Sequence, residues 1–583
     1  MKKIMVGQGS CGIAAGSLKV YSEIQKQIRP GEDIVLGTVG CIGMCFLEPI
    51  VDIYDGNTLI KRLTRVMAQD AAAVVDSVRT GAEFPVNLLK ISDDDRQFLE
   101  KQDRIVLRRC GITDPSSIDS YIECGGFKAL KKVMTEMTPE DVICEIKRSR
   151  LRGRGGAGFL TGLKWEMTRS NPGEKKYLIC NADEGDPGAF MDRAVLEGDP
   201  FNIIEGMVIA AYAIGCSEAF IYVRAEYPLA IERVSSALTQ AQERGYTGDD
   251  ILGSGFSCHI SLKEGAGAFV CGEETGLIAS LEGERGMPRP RPPFPSESGY
   301  HGCPTDINNV ETLANITWII ENGGYRFAAT GTEDSSGTKV FALSGRVKRG
   351  GLVEVAMGRT IREVIYDIGG GIKKEHTLKA VLMGGPSGGC IPAELADTVI
   401  DFKSLSETGA IMGSGGMVVI DESTCMVSMA KYFLAFTSKE SCGKCVMCRI
   451  GTKRMYEILD RITLGKGREG DVEELRSLGE GLRDGSMCGL GQTAPNPVMT
   501  TIRYFRGEYE EHIKDKHCPA LECRPLITYS INDKCIDCTI CEKSCPSGAI
   551  SAREGGGFDI DAAVCIRCGT CMRKCPKGAV EKR

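Results

Sequence analysis

Two runs of cysteine near the C-terminal end carry the clearest chemistry in the chain. "CIDCTICEKSCP" begins at Cys535, and "CIRCGTCMRKCP" begins at Cys565. Each reads Cys, two residues, Cys, two residues, Cys, three residues, Cys, Pro, the spacing of paired 4Fe-4S clusters that exchange their fourth ligands. One cluster would take Cys535, Cys538, Cys541 and Cys575, and the other Cys565, Cys568, Cys571 and Cys545. Thiolates suit iron, and three on a tight loop can cap one face of a cubane. Zinc sites or disulfides are the alternative, which the repetition with both prolines in place disfavours.

A third set lies upstream. "SCGKCVMC" supplies Cys442, Cys445 and Cys448, and "DGSMCGLGQ" supplies Cys488 forty residues later. A triplet with a distant fourth cysteine fits another 4Fe-4S cluster, with zinc as the alternative. The 27 cysteines of this chain, many in such spacings, argue for metal ligation in a reducing compartment rather than disulfides. Cys110, Cys124, Cys144, Cys180, Cys216, Cys258, Cys271, Cys303 and Cys390 stand singly in apolar contexts and read as small buried hydrophobes.

The elements that must position these residues form several domains, since 583 residues exceed one hydrophobic core. The net charge of -7 and scattered basic residues give no footprint for nucleic acid or an anionic membrane surface. The longest apolar run, "MVIAAYAIGC" from Met207, is too short to span a bilayer. The start lacks a sustained apolar stretch, so a secretory signal is not expected and a cytoplasmic location is.

The hydrophobic pattern predicts an α/β multidomain chain. Residues 1–84 alternate short strand-like and helical runs, an αβ pattern of thioredoxin size. A polar, mostly helical connector follows at 85–140, then a large glycine-rich αβ domain at 141–335. Residues 336–419 alternate at strand period and then turn helical, as in a β-grasp unit. Helical patterns over 420–507 suggest a bundle, 508–528 forms a linker, and 529–583 is the two-cluster ferredoxin-like module.

Three loops in the glycine-rich domain could hold a nucleotide. "LRGRGGAGFLTGLKW" contains G-x-G-x-x-G at Gly153, Gly155 and Gly158, but a charged, helix-like segment precedes it rather than a buried strand, so the dinucleotide-fold context fails. Such a loop still brings backbone N-H groups close to a phosphate, with Arg154 and Lys164 available to neutralise it. "CNADEGDPGAFMDR" places Asn181, Asp183, Glu184 and Asp186 on one loop, and "EGAGAFVCGEETGLIASLEG" adds Glu273 and Glu274. Ordinary turn glycines explain any one loop; three in one region favour a nucleotide site.

These stretches, with "GERGMPRPRPPFP", "PTDINNVETLAN" and "ESCGKCVMCRIG", resemble the flavin- and NADH-binding subunit of respiratory complex I and its soluble relatives over about residues 140–510. The resemblance implies FMN held by Gly153, Arg154, Gly155 and Gly156, by Asn181 and Asp183, by Phe269, Gly272, Glu273 and Glu274, and by Asn308 and Asn309. It implies NADH stacked near Phe159 and Phe294, with Lys164, Glu184, Asp186 and Glu274 nearby, and the Cys442, Cys445, Cys448, Cys488 cluster beside the flavin. NADH gives up two electrons as a hydride whereas a cluster takes one at a time, so a flavin belongs between them and no side chain is expected to act as general acid or base.

Two departures separate the chain from complex I. "GDPGAFMD" puts Asp186 where a glutamate is usual, and a thioredoxin-like segment and a two-cluster module are fused to the flavin core. That architecture resembles the beta subunit of trimeric NAD-dependent iron hydrogenases and related formate dehydrogenases and transhydrogenases, some of which bifurcate electrons. It implies as partners a small thioredoxin-like 2Fe-2S subunit, a catalytic hydrogenase, formate dehydrogenase or NADPH-binding subunit, and ferredoxin. The other readings are a respiratory NADH-quinone oxidoreductase subunit and a noncatalytic electron-wiring subunit.

Two smaller sites stay open at the sequence level. Thioredoxin-like 2Fe-2S domains offer four cysteines, and here only Cys11, Cys41 and Cys45 are present. Either an oxygen or nitrogen ligand completes a 2Fe-2S site, or the cluster is lost and the fold remains for docking. In the linker, His512, Cys518 and Cys523 resemble a zinc site of the hydrogenase-type subunits, with Cys425 as fourth ligand; the alternative is a hinge with incidental cysteines. The expected cofactors are therefore FMN, NAD(H), three 4Fe-4S clusters and, on those open points, one 2Fe-2S cluster and one zinc.

Overall fold

Strand β1 (Lys2–Gly7) leads into two helices, Ser10–Ala15 and Ser17–Gln27, and returns as β2 (Ile34–Val39), which pairs with it in parallel. Strands β3 (Ile50–Asp55) and β4 (Thr58–Thr64) add antiparallel on the other side, giving the order β2-β1-β3-β4. Ile4, Val6, Val51 and Ile53 alternate onto the face that packs against Val20 and Ile24 of the second helix and Val74, Val75 and Val78 of Ala71–Thr80. The protein is seen here in a computed structural model that describes residues 1–88 and 91–583, so positions 89 and 90 of the expected connector lie outside the described residues.

The chain forms two compact units, Met1–Ile420 with Met487–Leu490, and Asp421–Ser486 with Gly491–Arg583. In the first unit two buried carboxylates fix the helical connector by accepting backbone N-H groups. Glu205 accepts from Phe127 and Leu130 at 2.8 and 2.9 Å and from the Tyr121 hydroxyl at 2.5 Å. Glu354 accepts from Ile105, Val106 and Leu107 at 3.0, 2.8 and 2.8 Å. A buried carboxylate is tolerated only with such donors, so each acts as a clamp.

The glycine-rich region folds around β5 (Tyr177–Ala182), β6 (Glu218–Arg224), β7 (His259–Gly265) and β8 (Thr305–Asn309), all parallel in the order β7-β6-β5-β8. Helix Pro200–Ile214 packs under this sheet and is buried along nearly its whole length, which explains its continuous apolar sequence. The segment before the glycine loop is helix Pro139–Ser149, capped by Thr138 and Asp141, as its charged amphipathic pattern predicts.

A second, mixed sheet follows. Strands β9 (Thr338–Gly345), β10 (Gly351–Ala356), β11 (Leu378–Met383), β12 (Gly389–Pro392) and β13 (Gly416–Asp421) take the order β10-β9-β13-β11-β12, with β13 parallel to β9. Lys339 of β9 pairs with Glu311, both fully buried, and so ties the second sheet to helix Val310–Asn322, which follows β8.

The second unit opens with helices Met426–Glu440, Thr452–Thr463, Asp471–Gly485 and Asn496–Glu510, packed through Leu434, Met455, Leu459, Leu475 and Val498. Its C-terminal part is small: β14 (Tyr529–Ile531) pairs with β17 (Val580–Lys582), and β15 (Ile550–Ala552) with β16 (Phe558–Ile560).

Candidate functional site: a nucleotide pocket and cysteine-lined metal sites

The chain leaves β5 for β6 on one side and comes back as β8 on the other, so the parallel sheet changes direction between β5 and β8. Ligands of open parallel sheets bind at that point, beyond the carboxyl ends of the strands. Asn181 and Asn309 pair in register there, at the ends of β5 and β8. The Asn181 amide donates to the Gly272 carbonyl at 2.9 Å, which draws in the third glycine loop. The first loop closes from the other side: a Cβ on Gly155 would fall 3.1 Å from the Asn309 side chain, and one on Gly272 would fall 3.4 Å from the Asp183 carbonyl. A side chain at Gly155 would crowd Asn309, so glycine keeps that edge open for a phosphate or ribityl chain to lie close to the main chain.

Lys164 and Glu274 meet across this pocket at 2.6 Å, and Lys164 also donates to the Ile307 carbonyl at 2.6 Å. Burial alone would lower the Lys164 ammonium, but Glu274 and Asp306 outweigh it and hold it above its ordinary value. Asp186 accepts from the Ser414 hydroxyl at 2.9 Å, and burial pushes its carboxyl up to about 7. Phe159 and Phe294 keep 49% and 47% of their surface exposed, and the Arg291 guanidinium lies over the Phe294 ring, 5.9 Å from its centre.

Several residues read as direct ligands have a different first task. The Arg154 guanidinium is fully buried and donates to the carbonyls of Thr338, Arg152 and Ser336, so it braces the loop instead of neutralising a phosphate, and burial lowers it to about 10. Glu184 accepts from the N-H groups of Asp192 and Arg193 at 3.1 and 3.0 Å, capping helix Met191–Gly198. Glu273 caps helix Glu274–Leu281 through Thr275 and Gly276. Asn309 caps helix Val310–Asn322 through Thr312 while its amide donates to Asp192 at 2.5 Å. Asn308 accepts from the Trp165 indole at 3.1 Å. Gly156 and Gly158 take φ values of 121° and 66°, the left-handed region the tight loop requires.

Sequence reasoning missed Arg224, the last residue of β6, and Tyr227, just beyond it. The Tyr227 hydroxyl donates to the Glu184 carbonyl at 2.6 Å and Arg224 donates to the same carbonyl at 3.1 Å, fixing the acidic loop from behind. Phe269 packs into the same place, with Gly185 leaving no room for a side chain between it and Arg224. The signal was present, since "YVRAEYP" continues a parallel strand past its carboxyl end.

In the second unit Cys425, His512, Cys518 and Cys523 bring their ligand atoms within 4.8 Å of one another, all buried. Cys425 Sγ lies 3.3 Å from His512 Nε2, and Cys523 Sγ lies 3.4 Å from His512 Nε2 and 3.6 Å from Cys425 Sγ. His512 Nδ1 faces the Glu508 carbonyl at 2.6 Å, which fixes the tautomer that leaves Nε2 as a lone-pair donor. Two of the sulfurs accept backbone N-H groups, Cys425 from Ser428 and Cys518 from Glu522 and Cys523, each at 3.4 Å. Three sulfurs and one nitrogen in this arrangement suit tetrahedral zinc. His512 sits on a π-helical turn, Glu511–Asp515, and Cys448 sits on another, Met447–Gly451; the wider turn displaces each side chain from regular helix register.

The C-terminal module contains two apolar cavities. One is lined by Cys535, Cys538, Cys541 and Cys575, the other by Cys565, Cys568, Cys571 and Cys545. Each loop wraps its cavity by taking left-handed backbone at equivalent positions, Asp537 and Thr539 in the first and Arg567 and Gly569 in the second. The two crossing cysteines each accept a backbone N-H, Cys545 from Ala549 at 3.3 Å and Cys575 from Ala579 at 3.2 Å. In the bundle, Ser441 Oγ approaches Cys448 Sγ at 3.1 Å, on the loop that carries Cys442 and Cys445.

Cys41 and Cys45 of the N-terminal domain place their sulfurs 3.9 Å apart, and hydrogen bonding from Cys45 holds the Cys11 thiol down, to about 7. Of the cysteines expected to be buried hydrophobes, Cys110, Cys180, Cys216, Cys258, Cys271 and Cys390 are buried. Cys124 and Cys144 are exposed and Cys303 half-exposed, a correction to that expectation; Cys144 lies on the polar side of an amphipathic helix.

A parallel-sheet nucleotide pocket and cysteine-lined cavities define a flavin-dependent, iron-sulfur oxidoreductase subunit. Residues 146–318 match the Nuo51 FMN-binding domain, residues 428–512 the NADH-ubiquinone oxidoreductase-F iron-sulfur binding region, and residues 534–580 the 4Fe-4S dicluster domain. The chain is 56% identical over 453 residues to the HndC subunit of the NADP-reducing hydrogenase of Solidesulfovibrio fructosivorans, covering 78% of this chain and 92% of that one. It is 44% identical over 415 residues to an F-type subunit of the NADH-quinone oxidoreductase of Rhizobium meliloti, covering 71% and 99%. The crystal structure of an NAD+-reducing [NiFe]-hydrogenase in the H2-reduced state superposes with a TM-score of 0.64 at 30% identity, covering 88% of this chain and 84% of that one. The chain belongs to the family of NADH dehydrogenase-type flavin and iron-sulfur subunits that includes the F-type subunits of NADH-quinone oxidoreductase. Among the described residues no helix is long and apolar enough to cross a membrane.

Proposed function

We propose that this chain exchanges electrons between NAD(H) and one-electron carriers as a subunit of a soluble hydrogenase, formate dehydrogenase or transhydrogenase complex. The observation that carries the reading is the meeting of three glycine-bearing loops with Asn181 and Asn309 at the switch point of a parallel sheet. FMN bound there supplies the conversion of a two-electron hydride into single electrons. Gly153, Gly155, Gly156, Gly272, Asn181, Asp183, Asn308 and Asn309 would hold it, and Lys164, Glu274 and Asp186 would orient the nicotinamide nucleotide against Phe159 and Phe294. Glu184, Glu273 and Arg154 keep those loops in place.

Single electrons then have three 4Fe-4S positions in this chain. Cys442, Cys445, Cys448 and Cys488 are the proposed ligands of one, and the two C-terminal cavities are the proposed sites of the others. The N-terminal domain, with its thioredoxin-type strand order, holds a 2Fe-2S cluster, and the zinc site is structural. Arg524, next to Cys523, donates to the carbonyls of Ile566 and Arg567 in the second cluster loop at 2.7 and 3.0 Å, so a zinc there would anchor the ferredoxin-like module. The β9–β13 sheet is the proposed β-grasp domain.

The match to the Rhizobium protein spans nearly all of that protein but 71% of this one, so this chain carries segments that the respiratory-type relative lacks. This favours the hydrogenase-type assembly, with electron bifurcation, a small 2Fe-2S partner, a catalytic partner chain and ferredoxin as its proposed features, in the cytoplasm. The test is reduction of a one-electron dye by the purified chain with NADH and, separately, NADPH. Turnover that depends on FMN is expected; no turnover with either nucleotide after FMN is supplied would leave an electron-wiring role alone.

A further inference from the structure

A 2Fe-2S cluster takes four protein ligands, and the N-terminal domain offers three thiols. Cys11 opens the helix after β1, and Cys41 and Cys45 lie on the loop after β2, so all three sit at the carboxyl ends of two neighbouring parallel strands. The two loops touch: a Cβ on Gly9 would fall 2.7 Å from the Cβ of Cys41.

Glu48 brings a carboxylate to the same place. Its Oε2 lies 3.1 Å from where a Cβ on Gly12 would project, so the glycine beside Cys11 leaves room for it, and it is in ordinary contact range, 3.4 Å, of one on Gly7. The Ile50 N-H donates to Oε2 at 2.9 Å, which orients the group and leaves Oε1 as a ligand atom. The neighbouring cation is already engaged, since Arg62 forms a two-pronged pair with Asp52 at 2.8 and 2.7 Å. Among the described residues Glu48 has no ion-pair partner, although it is half-buried. A half-buried carboxylate with one backbone donor and no ion-pair contact has an oxygen available to a metal cation, and ferric iron would be that cation.

We propose that Glu48 is the fourth ligand, so that Cys11, Cys41, Cys45 and Glu48 together hold the 2Fe-2S cluster. This rests on the N-terminal cluster of the reading above. Helix Met191–Gly198 then connects the cluster to the flavin pocket. At its start Asp192 and Arg193 donate to Glu184, and near its end Glu197 accepts from the N-H and hydroxyl of Ser10, next to Cys11. Eight residues of helix span about 12 Å. The carboxylate-ligated cluster therefore lies one short helix from the proposed flavin.

The test is iron counting and EPR of the full chain, purified anaerobically, as wild type, Glu48→Ala, Glu48→Cys and Cys11→Ser. The wild type should hold about fourteen irons, and Glu48→Ala and Cys11→Ser about twelve, with flavin and the 4Fe-4S signals unchanged. Glu48→Cys should keep about fourteen irons while the g-values of the 2Fe-2S signal move. A wild type with about twelve irons and no 2Fe-2S signal would sink the cluster itself. A Glu48→Ala protein that keeps about fourteen irons with an unmoved signal would sink only the ligand. An unmoved signal in Glu48→Cys would do the same if the alanine variant fails to fold.

Discussion

Lys164 and Glu274, separated by 110 positions in sequence, form a 2.6 Å ion pair in the nucleotide pocket. Glu274 is held below the ordinary carboxylate range; burial works against this, and Lys164 outweighs it. Removing one partner of such a pair leaves the other charge without compensation. Lys164→Met should therefore reduce NADH-driven dye reduction by about tenfold or more, equivalent to about 1.4 kcal/mol in the barrier. Lys164→Arg should recover part of the loss. Measuring kcat and KM separately, with flavin content, checks whether the pair positions the nucleotide; an unchanged KM and kcat in Lys164→Met would exclude that role.

Asp186 gives a pH signature. Its carboxyl is raised to about 7, against about 3.9 in an unfolded chain. The native state thus holds the proton more tightly than the unfolded one, so this group contributes most stability below about pH 4 and loses it as pH rises through about 7. Asp186→Asn is neutral throughout. In the flavin-free protein, the Tm of Asp186→Asn relative to wild type should climb between pH 5 and pH 8, and thermal scans across that window would show it. A constant difference would mean the carboxyl is not raised.

The crossing of the C-terminal cysteines can be read from two single substitutions. Cys545 lines the cavity of the second loop and Cys575 that of the first. Cys545→Ser should lose about four irons from the second cluster and spare the first, and Cys575→Ser should do the reverse. EPR of the two reduced variants should give complementary spectra. Loss of the cluster nearer in sequence would show that each run closes its own site.

Zinc should be separable from iron. Cys518→Ser or His512→Ala is expected to lower zinc from one per chain to none, leave cluster irons in place, and reduce Tm by about 5 °C or more. Metal analysis beside calorimetry reads this directly. Unchanged zinc would mean the ion is held elsewhere.

The sequence disclosed these sites unevenly, for physical reasons. The cluster motifs were legible because thiolate ligation imposes a local spacing, and the same loops then wrap their cavities with left-handed residues at equivalent positions. The spacing of His512, Cys518 and Cys523 is local and legible, whereas Cys425, from a helix start 87 residues before His512, joined them only through the resemblance, and the structure brings all four together. In the pocket, residue type alone did not separate a ligand from a support. Glu184, Glu273 and Arg154 have the chemistry to bind a cofactor, but helix N-termini and orphan carbonyls claim them first. Glu48 does not stand out beside the cysteine pattern because its place near Cys11 comes from the packing of its segment against the helix that carries Gly12.

An electron route from NADH through flavin to iron is tested most directly by an anaerobic spectrum of the purified chain before and after NADH. The expected result is one FMN with about twelve to fourteen irons, and bleaching of both flavin and cluster absorption by NADH. Clusters that remain oxidised in the presence of NADH after FMN has been supplied would contradict it.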